Sequence, residues 1–368
     1  MIVNPITFYA IGGIVFISTL VIIYNCYTAP KVINRKYDLP KKPHVSILIP
    51  ARNEEDNITP LLHSIIQQSY SNYDLFVLDD QSEDRTSGVV EALSTKNRKI
   101  NLIKGKPLPE GWVGKNWACF QLANHARGEL LLFLDADVRL SPNALEAALY
   151  QMQKNNVVML SCFPTQKINS LGEWLIVPLM NWLLLSLLPL KTVVSLPYKS
   201  FTAVNGQFIL CEKRAYNSIG GHEAVFDRVV EDMEIARTFK VGGYRVMTAL
   251  GQDAITCRMY SGLIDSLKGF SKNFYLGFNV SPLIFLCILT ALMIVFFAPL
   301  IFSIYRSHFM WVVFMVLLGR LFVSLLSLQN PFINILLHPL QMVAMFIIGV
   351  NSLYWTLKGK TVWKGRNI

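Results

Sequence analysis

The sequence predicts an α/β domain, a parallel sheet with helices on both faces, flanked by transmembrane helices. Three observations carry that expectation. The 368 residues are 52% hydrophobic and 16% charged, with mean hydropathy +0.39, and the apolar excess is concentrated at the two ends. From 45 to about 165, strand-like and helix-like segments alternate, as in a sheet built from crossover units. Residues 129–137 read Glu-Leu-Leu-Leu-Phe-Leu-Asp-Ala-Asp, a buried-type strand that closes on two carboxylates. The chain is too apolar for an ordinary soluble protein and too polar in its middle for a pure transporter.

The ends come first. Residues 6–27 form a charge-free run of 22, long enough to span a bilayer core of ~30 Å. No basic region precedes it, so residues 1–28 read as a retained anchor rather than a cleaved signal. The linker 29–44 carries Lys31, Arg35, Lys36, Lys41 and Lys42 against Asp38, which assigns it and the polar middle to the cytoplasm. Further apolar runs at 282–305, 309–328 and 339–357 make 282–357 a set of transmembrane or interfacial helices. Arg320, inside the second run, must snorkel, pair or line a cavity. The tail 358–368, with Lys358, Lys360, Lys364 and Arg366, also favours the cytoplasm, yet three full crossings after a cytoplasmic domain would put it outside. One run is therefore expected to be interfacial or re-entrant. The expected location is the cell membrane, multi-pass, with the polar domain cytoplasmic.

The net charge of +10 sits largely in these flanks, which suits anionic lipid headgroups and makes no nucleic-acid stripe. Six cysteines without a Cys-x-x-Cys pair fit reduced thiols.

In the middle, strands are expected at Val45–Pro50, Asp74–Asp80, Ile100–Lys104, Glu129–Leu134 and Val157–Phe163. Helices are expected at Asp56–Gln68, Glu83–Ser94, Lys115–Ala126 and Ser141–Lys154, the last with Ser141 as N-cap and Pro142 at the first helical position. No Gly-x-Gly-x-x-Gly is present, and Pro109 stands where the first glycine of a P-loop ending in Gly114-Lys115 would fall. Residues 171–190 are apolar with Pro178 and Pro189. They read as a membrane-interfacial helix with Trp174 and Trp182 at headgroup level, or as a buried helix.

Four polar stations follow strand ends or open helices. Pro50, Arg52 and Glu54 follow the first strand, and Asp79 and Asp80 the second. Asp135 and Asp137 point the same way at the end of the 129–134 strand and can meet one hard divalent cation, Mg²⁺ or Mn²⁺. Glu231-Asp232 opens an acidic helix start after Asn205-Gly206-Gln207-Phe208, and Asp232 can serve as a general base.

In this order and spacing, the four stations resemble the family-2 nucleotide-sugar glycosyltransferases over roughly residues 43–260. The resemblance implies the A-type glycosyltransferase fold, a Rossmann-like mixed sheet, with the glycosyltransferase domain at 45–275. It implies that Pro50, Arg52 and Glu54 lie around the uridine of a UDP-sugar donor and that Asp79 or Asp80 contacts base or ribose. It implies that Asp135 and Asp137 bind ribose and, through the cation, the diphosphate, while Asp232 activates the acceptor, with Glu231, Gly206, Gln207, Arg258, Trp174 and Trp182 on the acceptor side.

The segment Pro109–Ala118 resembles that of bacterial glycosyltransferases of carotenoid and hopanoid pathways, which makes Lys115 a candidate phosphate contact. Residues 258–273 and Val362–Arg366 carry the same likeness and imply a carotenoid acid as acceptor. A hydroxyl-bearing lipid is the alternative, because a carboxylic acid with a pKa of about 4 needs little help from a base. The Gln-x-x-Arg-Trp motif of processive members is absent, which implies single transfer. One base and no nearby nucleophilic carboxylate imply inversion. Two other classes fit the sequence less well. A catalytically dead membrane scaffold would lack some of the station groups, and all are present. A nucleotidyltransferase would want a glycine-rich loop near the first strand, and Ala51–Asn57 has no glycine.

Overall fold

The computed structural model describes residues 5–359, 362–363 and 366–367, so Lys360 and Lys364 of the basic-tail reading lie outside the described residues. Strands β1 (Val45–Ala51), β2 (Tyr73–Asp79), β3 (Ile100–Lys104), β4 (Leu130–Leu134), β5 (Val138–Leu140), β6 (Met159–Phe163), β7 (Thr165–Gln166), β8 (Phe208–Glu212), β9 (Val246–Leu250) and β10 (Ile255–Cys257) build the domain. Its helices are α2 (Glu55–Ile66), α3 (Thr86–Lys96), α4 (Gly114–His125), α5 (Ala144–Asn155), α9 (Lys213–Ser218) and α10 (Glu231–Val241), while α1 (Pro5–Thr28) precedes it. Three short helices, α6 (Leu171–Ile176), α7 (Pro178–Leu187) and α8 (Leu190–Ser195), leave the sheet after β7. The chain ends in α11 (Gly262–Phe278), α12 (Pro282–Phe296), α13 (Ala298–Tyr305), α14 (Met310–Leu326), α15 (Pro331–Leu336) and α16 (His338–Leu357).

The main sheet has seven strands in the order β3-β2-β1-β4-β8-β6-β9. It is mixed, not purely parallel: β8 runs antiparallel to both β4 and β6, with Leu132 opposite Leu210 and Leu160 opposite Leu210. Alternating strand residues serve opposite faces. Thus Ile47, Ile49, Leu130, Leu132 and Leu134 join one buried layer, and Leu48, Leu131 and Phe133 the other. A smaller sheet, β5-β10-β7, extends the edge beyond β4.

Three boundaries depart from the sequence reading. The 141–154 helix begins at Ala144, because the Ser141 hydroxyl donates to Asp253 O and so does not cap it. The 83–94 helix begins at Thr86, whose backbone N–H donates to Asp84 Oδ1 at 2.9 Å. The 171–190 stretch is three helices rather than one, broken where Pro178 and Pro189 begin new segments.

Helices at Ile6–Thr28, Pro282–Tyr305, Ser307–Leu326 and His338–Leu357 are long and apolar enough to cross a membrane, with hydropathies of 2.3, 2.9, 2.3 and 1.4. Together with α7 they bury a third apolar cluster. Asn25 stitches α1 to it, donating to Leu185 O and Leu188 O at 2.9 Å each and accepting from Leu190 N at 2.8 Å.

Candidate active site

Beyond β4 the chain turns at once: Val138 N donates to Asp135 O at 3.2 Å, and β5 follows. Asp135 and Asp137 flank that turn at the C-terminal edge of the sheet, where open α/β sheets take their ligands. Lys115, in the first turn of α4, reaches across to 2.8 Å from Asp135 Oδ1 and 3.2 Å from Glu231 Oε1. Burial alone would lower the Lys115 ammonium, but Asp135 and Glu231 outweigh it and hold the group charged well above its usual range.

Asp232 sits beside Glu231 at the start of α10. Its Oδ2 accepts from Gly206 N at 2.7 Å and its Oδ1 from Met233 N at 2.8 Å. A Cβ on Gly206 would lie 3.1 Å from Lys115 Nζ and 3.3 Å from Asp232 Oδ2, so any side chain there crowds both groups. Burial, then the neighbouring Glu231, push Asp232 up to about 7 against the pull of Lys115.

Asp137 is oriented from behind: Gln207 Nε2 donates to its Oδ2 at 3.2 Å, and the Gln166 amide donates to Gln207 Oε1 at 3.3 Å. The other Asp137 oxygen is buried with no hydrogen-bond partner. Burial and the charge of Asp135 raise its pKa. The site therefore fits a hard divalent ion. Among the described residues no group of three or more His, Cys, Asp and Glu side chains converges that could hold an ion alone.

Two cavities meet at these groups. A polar one of about 510 Å³ is lined by Pro50, Arg52, Glu54, Asn57, Lys268 and Lys272. An apolar one of about 550 Å³ is lined by Met180, Leu183, Leu184, Phe270, Phe274 and Phe278, with Glu231 and Asp232 on its wall. Lys115, Asp135 and Asp137 border both.

The structure thus brings together Pro50, Arg52, Glu54, Lys115, Asp135, Asp137, Gly206, Gln207, Glu231 and Asp232. Arg52 does more than border the cavity: its Nη1 donates to Asp80 O at 2.8 Å and Gln81 O at 2.7 Å, clipping the loop after β2 to the loop after β1. Asp79 and Asp80 stand off the lining. Asp79 Oδ1 accepts from Ser82 N at 3.2 Å, and Asp80 is 1% exposed with its N–H on Ala51 O.

Three acceptor-side candidates are not among the residues lining either cavity. Arg258 Nη2 lies 3.4 Å from Glu173 Oε1, and Glu173 also accepts from Gly262 N at 2.9 Å. Trp182 is 2% exposed and packs edge-on against Phe296 at 4.9 Å, so it is core rather than headgroup belt. Trp174 lines neither cavity; its carbonyl accepts from Gln341 Nε2 at 2.7 Å. Tyr260 and the α11 residues Gly269 to Phe278 form a further wall that the sequence reading did not assign. The i, i+4 spacing of Lys268 and Lys272 is the signal that puts both on one face.

Residues 46–214 match the family model described as Glycosyl transferase family 2. That stretch, a little under half of the chain, is similar to this family. Two curated relatives are named 4,4'-diaponeurosporenoate glycosyltransferase. That of Staphylococcus haemolyticus is 28% identical over 246 residues, 63% of this chain and 61% of its own length, so the match spans less than two thirds of it. That of Staphylococcus aureus strain MRSA252 is 28% identical over 280 residues, 71% of this chain and 70% of its own. Among solved structures, a mannosyltransferase from Pyrobaculum calidifontis, in complex with GDP-mannose and Mn²⁺, has a TM-score of 0.58 at 17% identity, covering 95% of this chain and 97% of its own. That likeness is one of fold. The sheet domain has the A-type fold of that neighbour, with apolar helices on both flanks.

Proposed function

We propose that the chain is a membrane-associated, inverting, single-transfer glycosyltransferase that moves a hexose from a UDP-sugar to a lipid acceptor on the cytoplasmic side of the cell membrane. The observation that carries this reading is the pair of cavities, one polar and one apolar, joined at Asp135, Asp137, Lys115 and Asp232. The polar cavity suits a nucleotide diphosphate, and the apolar cavity suits a lipid tail whose reactive oxygen reaches Asp232.

In this reading the acceptor O–H donates to the Asp232 carboxylate as its oxygen attacks the anomeric carbon, and the bond to the diphosphate breaks on the opposite face. The proton ends on Asp232 and the electron pair on the departing UDP. Asp135 and Asp137 would hold Mg²⁺ or Mn²⁺, which when bound stabilises the charge on the leaving diphosphate. Lys115 keeps an ammonium beside that charge.

The relatives' names favour a diaponeurosporenoate-type carotenoid acid as acceptor, which would place the reaction in pigment biosynthesis; glucose is the first hexose to test. A hydroxyl-bearing lipid, a hopanoid or glycolipid, is favoured by one observation: Asp232 is built as a base, which a pre-ionised acid does not need. A dead scaffold would not keep the carboxylates and Lys115 in mutual contact. The test incubates membranes holding the full chain with labelled UDP-hexoses and a lipid extract, and identifies labelled lipid by mass spectrometry. Labelled lipid and UDP release are expected, both lost in Asp137→Ala. Neither product from the unsubstituted chain would overturn the proposal.

A further inference from the structure

The helical bundle has two poles, and both ends of its last long segment lie at the same one. α1 begins beside the turn between α13 and α14, where the Phe8 ring packs on His308 at 4.8 Å and Phe309 at 5.1 Å. It ends at the glycosyltransferase domain, where Lys31 bridges to Leu250 of β9. α14 runs alongside it, from Val312 near Gly12 to Gly319 against Ile22, and returns to the domain, where Leu326 O accepts from Gln252 Nε2 at 2.8 Å.

α15 then doubles back on α14. Asn334 Nδ2 donates to Ser324 Oγ at 2.9 Å and to Gln329 Oε1 at 3.0 Å. α16 starts with His338 Nε2 3.0 Å from Phe296 O, at the break between α12 and α13, midway along that apolar span. It does not continue to the far pole. It runs beside α11 instead: Gln341 binds Trp174 O near the start of α11, where Gly172 touches Leu263, and Tyr275 N donates to Ser352 Oγ at 2.9 Å near its end. α11 is the helix whose Lys268 and Lys272 line the polar cavity.

We propose that α15 and α16 form a re-entrant hairpin in the leaflet next to the catalytic domain. The chain then crosses the bilayer three times, through α1, α12–α13 and α14, and the tail from Lys358 emerges on the catalytic side. The inference rests on the membrane reading above.

Composition agrees with the packing. The α16 span has the lowest hydropathy of the four, 1.4 against 2.3 to 2.9, and it buries His338, Gln341 and Ser352. Its outward face, Val343, Phe346, Ile347 and Val350, is apolar and exposed, which fits acyl chains of that leaflet. The turn between α15 and α16, which lies at that depth, keeps its backbone bonded within the protein: Leu337 N donates to Ile333 O at 2.9 Å and Gln341 N to Leu337 O at 2.8 Å. Irregular backbone at membrane depth is tolerated only on those terms. Three crossings also return the lysine-bearing tail to the side that basic residues prefer, which removes the parity conflict in the sequence.

The test uses the full chain in whole cells, with Cys287→Ser as background. Lys358→Cys, Asn124→Cys on the catalytic domain and Arg306→Cys at the far turn are each probed with a membrane-impermeant maleimide before and after permeabilisation. Lys358→Cys is expected to label like Asn124→Cys and opposite to Arg306→Cys. An epitope tag appended to the tail, read by antibody in the same two conditions, gives the answer if Lys358→Cys does not react. A tail that follows Arg306→Cys overturns the hairpin alone. All three sites reacting alike overturns the membrane reading with it.

Discussion

Asp232 is held by two backbone N–H groups and raised to about 7, chiefly by burial. Below that value the donor-free enzyme carries it protonated, so kcat/KM should fall as pH drops through about 7. Asp232→Asn should remove that limb and slow transfer ~10²–10⁴-fold while UDP binding persists. The same shift has a stability sign. The folded value lies above the ordinary 3.8, so folding binds a proton, and stability is lost as pH rises from about 4 through about 7. Asp232→Asn should therefore raise the Tm at pH 8 and leave it nearly unchanged at pH 4, as read by thermal unfolding in detergent. Gln207→Leu frees Asp137 from its orienting amide, and such outer partners are worth ~10–100-fold in metal affinity. Mn²⁺ titrated in the presence of UDP should bind correspondingly weaker, with the unfolding midpoint a control for general damage. Of these groups, the sequence displayed Asp135, Asp137 and Asp232 because each sits at a strand end or helix start. It did not display that Arg258 belongs to Glu173 or that Gln207 backs Asp137, since those pairings join residues 85 and 70 positions apart.

At the scale of elements, the strands were legible because β1, β2, β4 and β6 are short apolar runs bounded by turn residues. The reversed direction of β8 was not, since a side-chain period of two is the same read either way and direction is set by the long excursion through α6–α8. Burial of Trp182 was illegible for a related reason: an apolar helix against other helices and one against headgroups share a composition. The joint between α6 and α11 is the element most exposed to a single change. Glu173 is 1% exposed, accepts from Asn169 N at 2.7 Å and Gly262 N at 2.9 Å, and faces Arg258. Hydrogen bonds to a charged group contribute ~1.5–3 kcal/mol. Glu173→Ala should lower the Tm and raise the KM for acceptor and donor together, because α11 walls both cavities. A lowered Tm with both KM values unchanged would show that the joint holds overall packing alone. Gly269 lies so close to Tyr260 that a Cβ would meet its ring at 2.1 Å. Gly269→Ala should therefore push Tyr260 into the shared space and weaken UDP binding, measured by calorimetry.

For the whole molecule, a soluble-type sheet and a lipid-type bundle meet along α11. That helix turns Lys268 and Lys272 toward the polar cavity, while Leu267, Phe270 and Phe274 pack into the bundle cluster. One rigid body thus forms a wall of two compartments of opposite polarity. If the apolar cavity takes lipid and the polar one nucleotide, as proposed, a shared partition imposes thermodynamic reciprocity: whatever factor bound lipid applies to nucleotide affinity, the nucleotide must apply to the lipid. UDP titrated into nanodiscs with and without acceptor lipid would measure that factor once, and the converse titration must return the same value. Bilayer composition would then enter the kinetics through the donor, although the donor never leaves water.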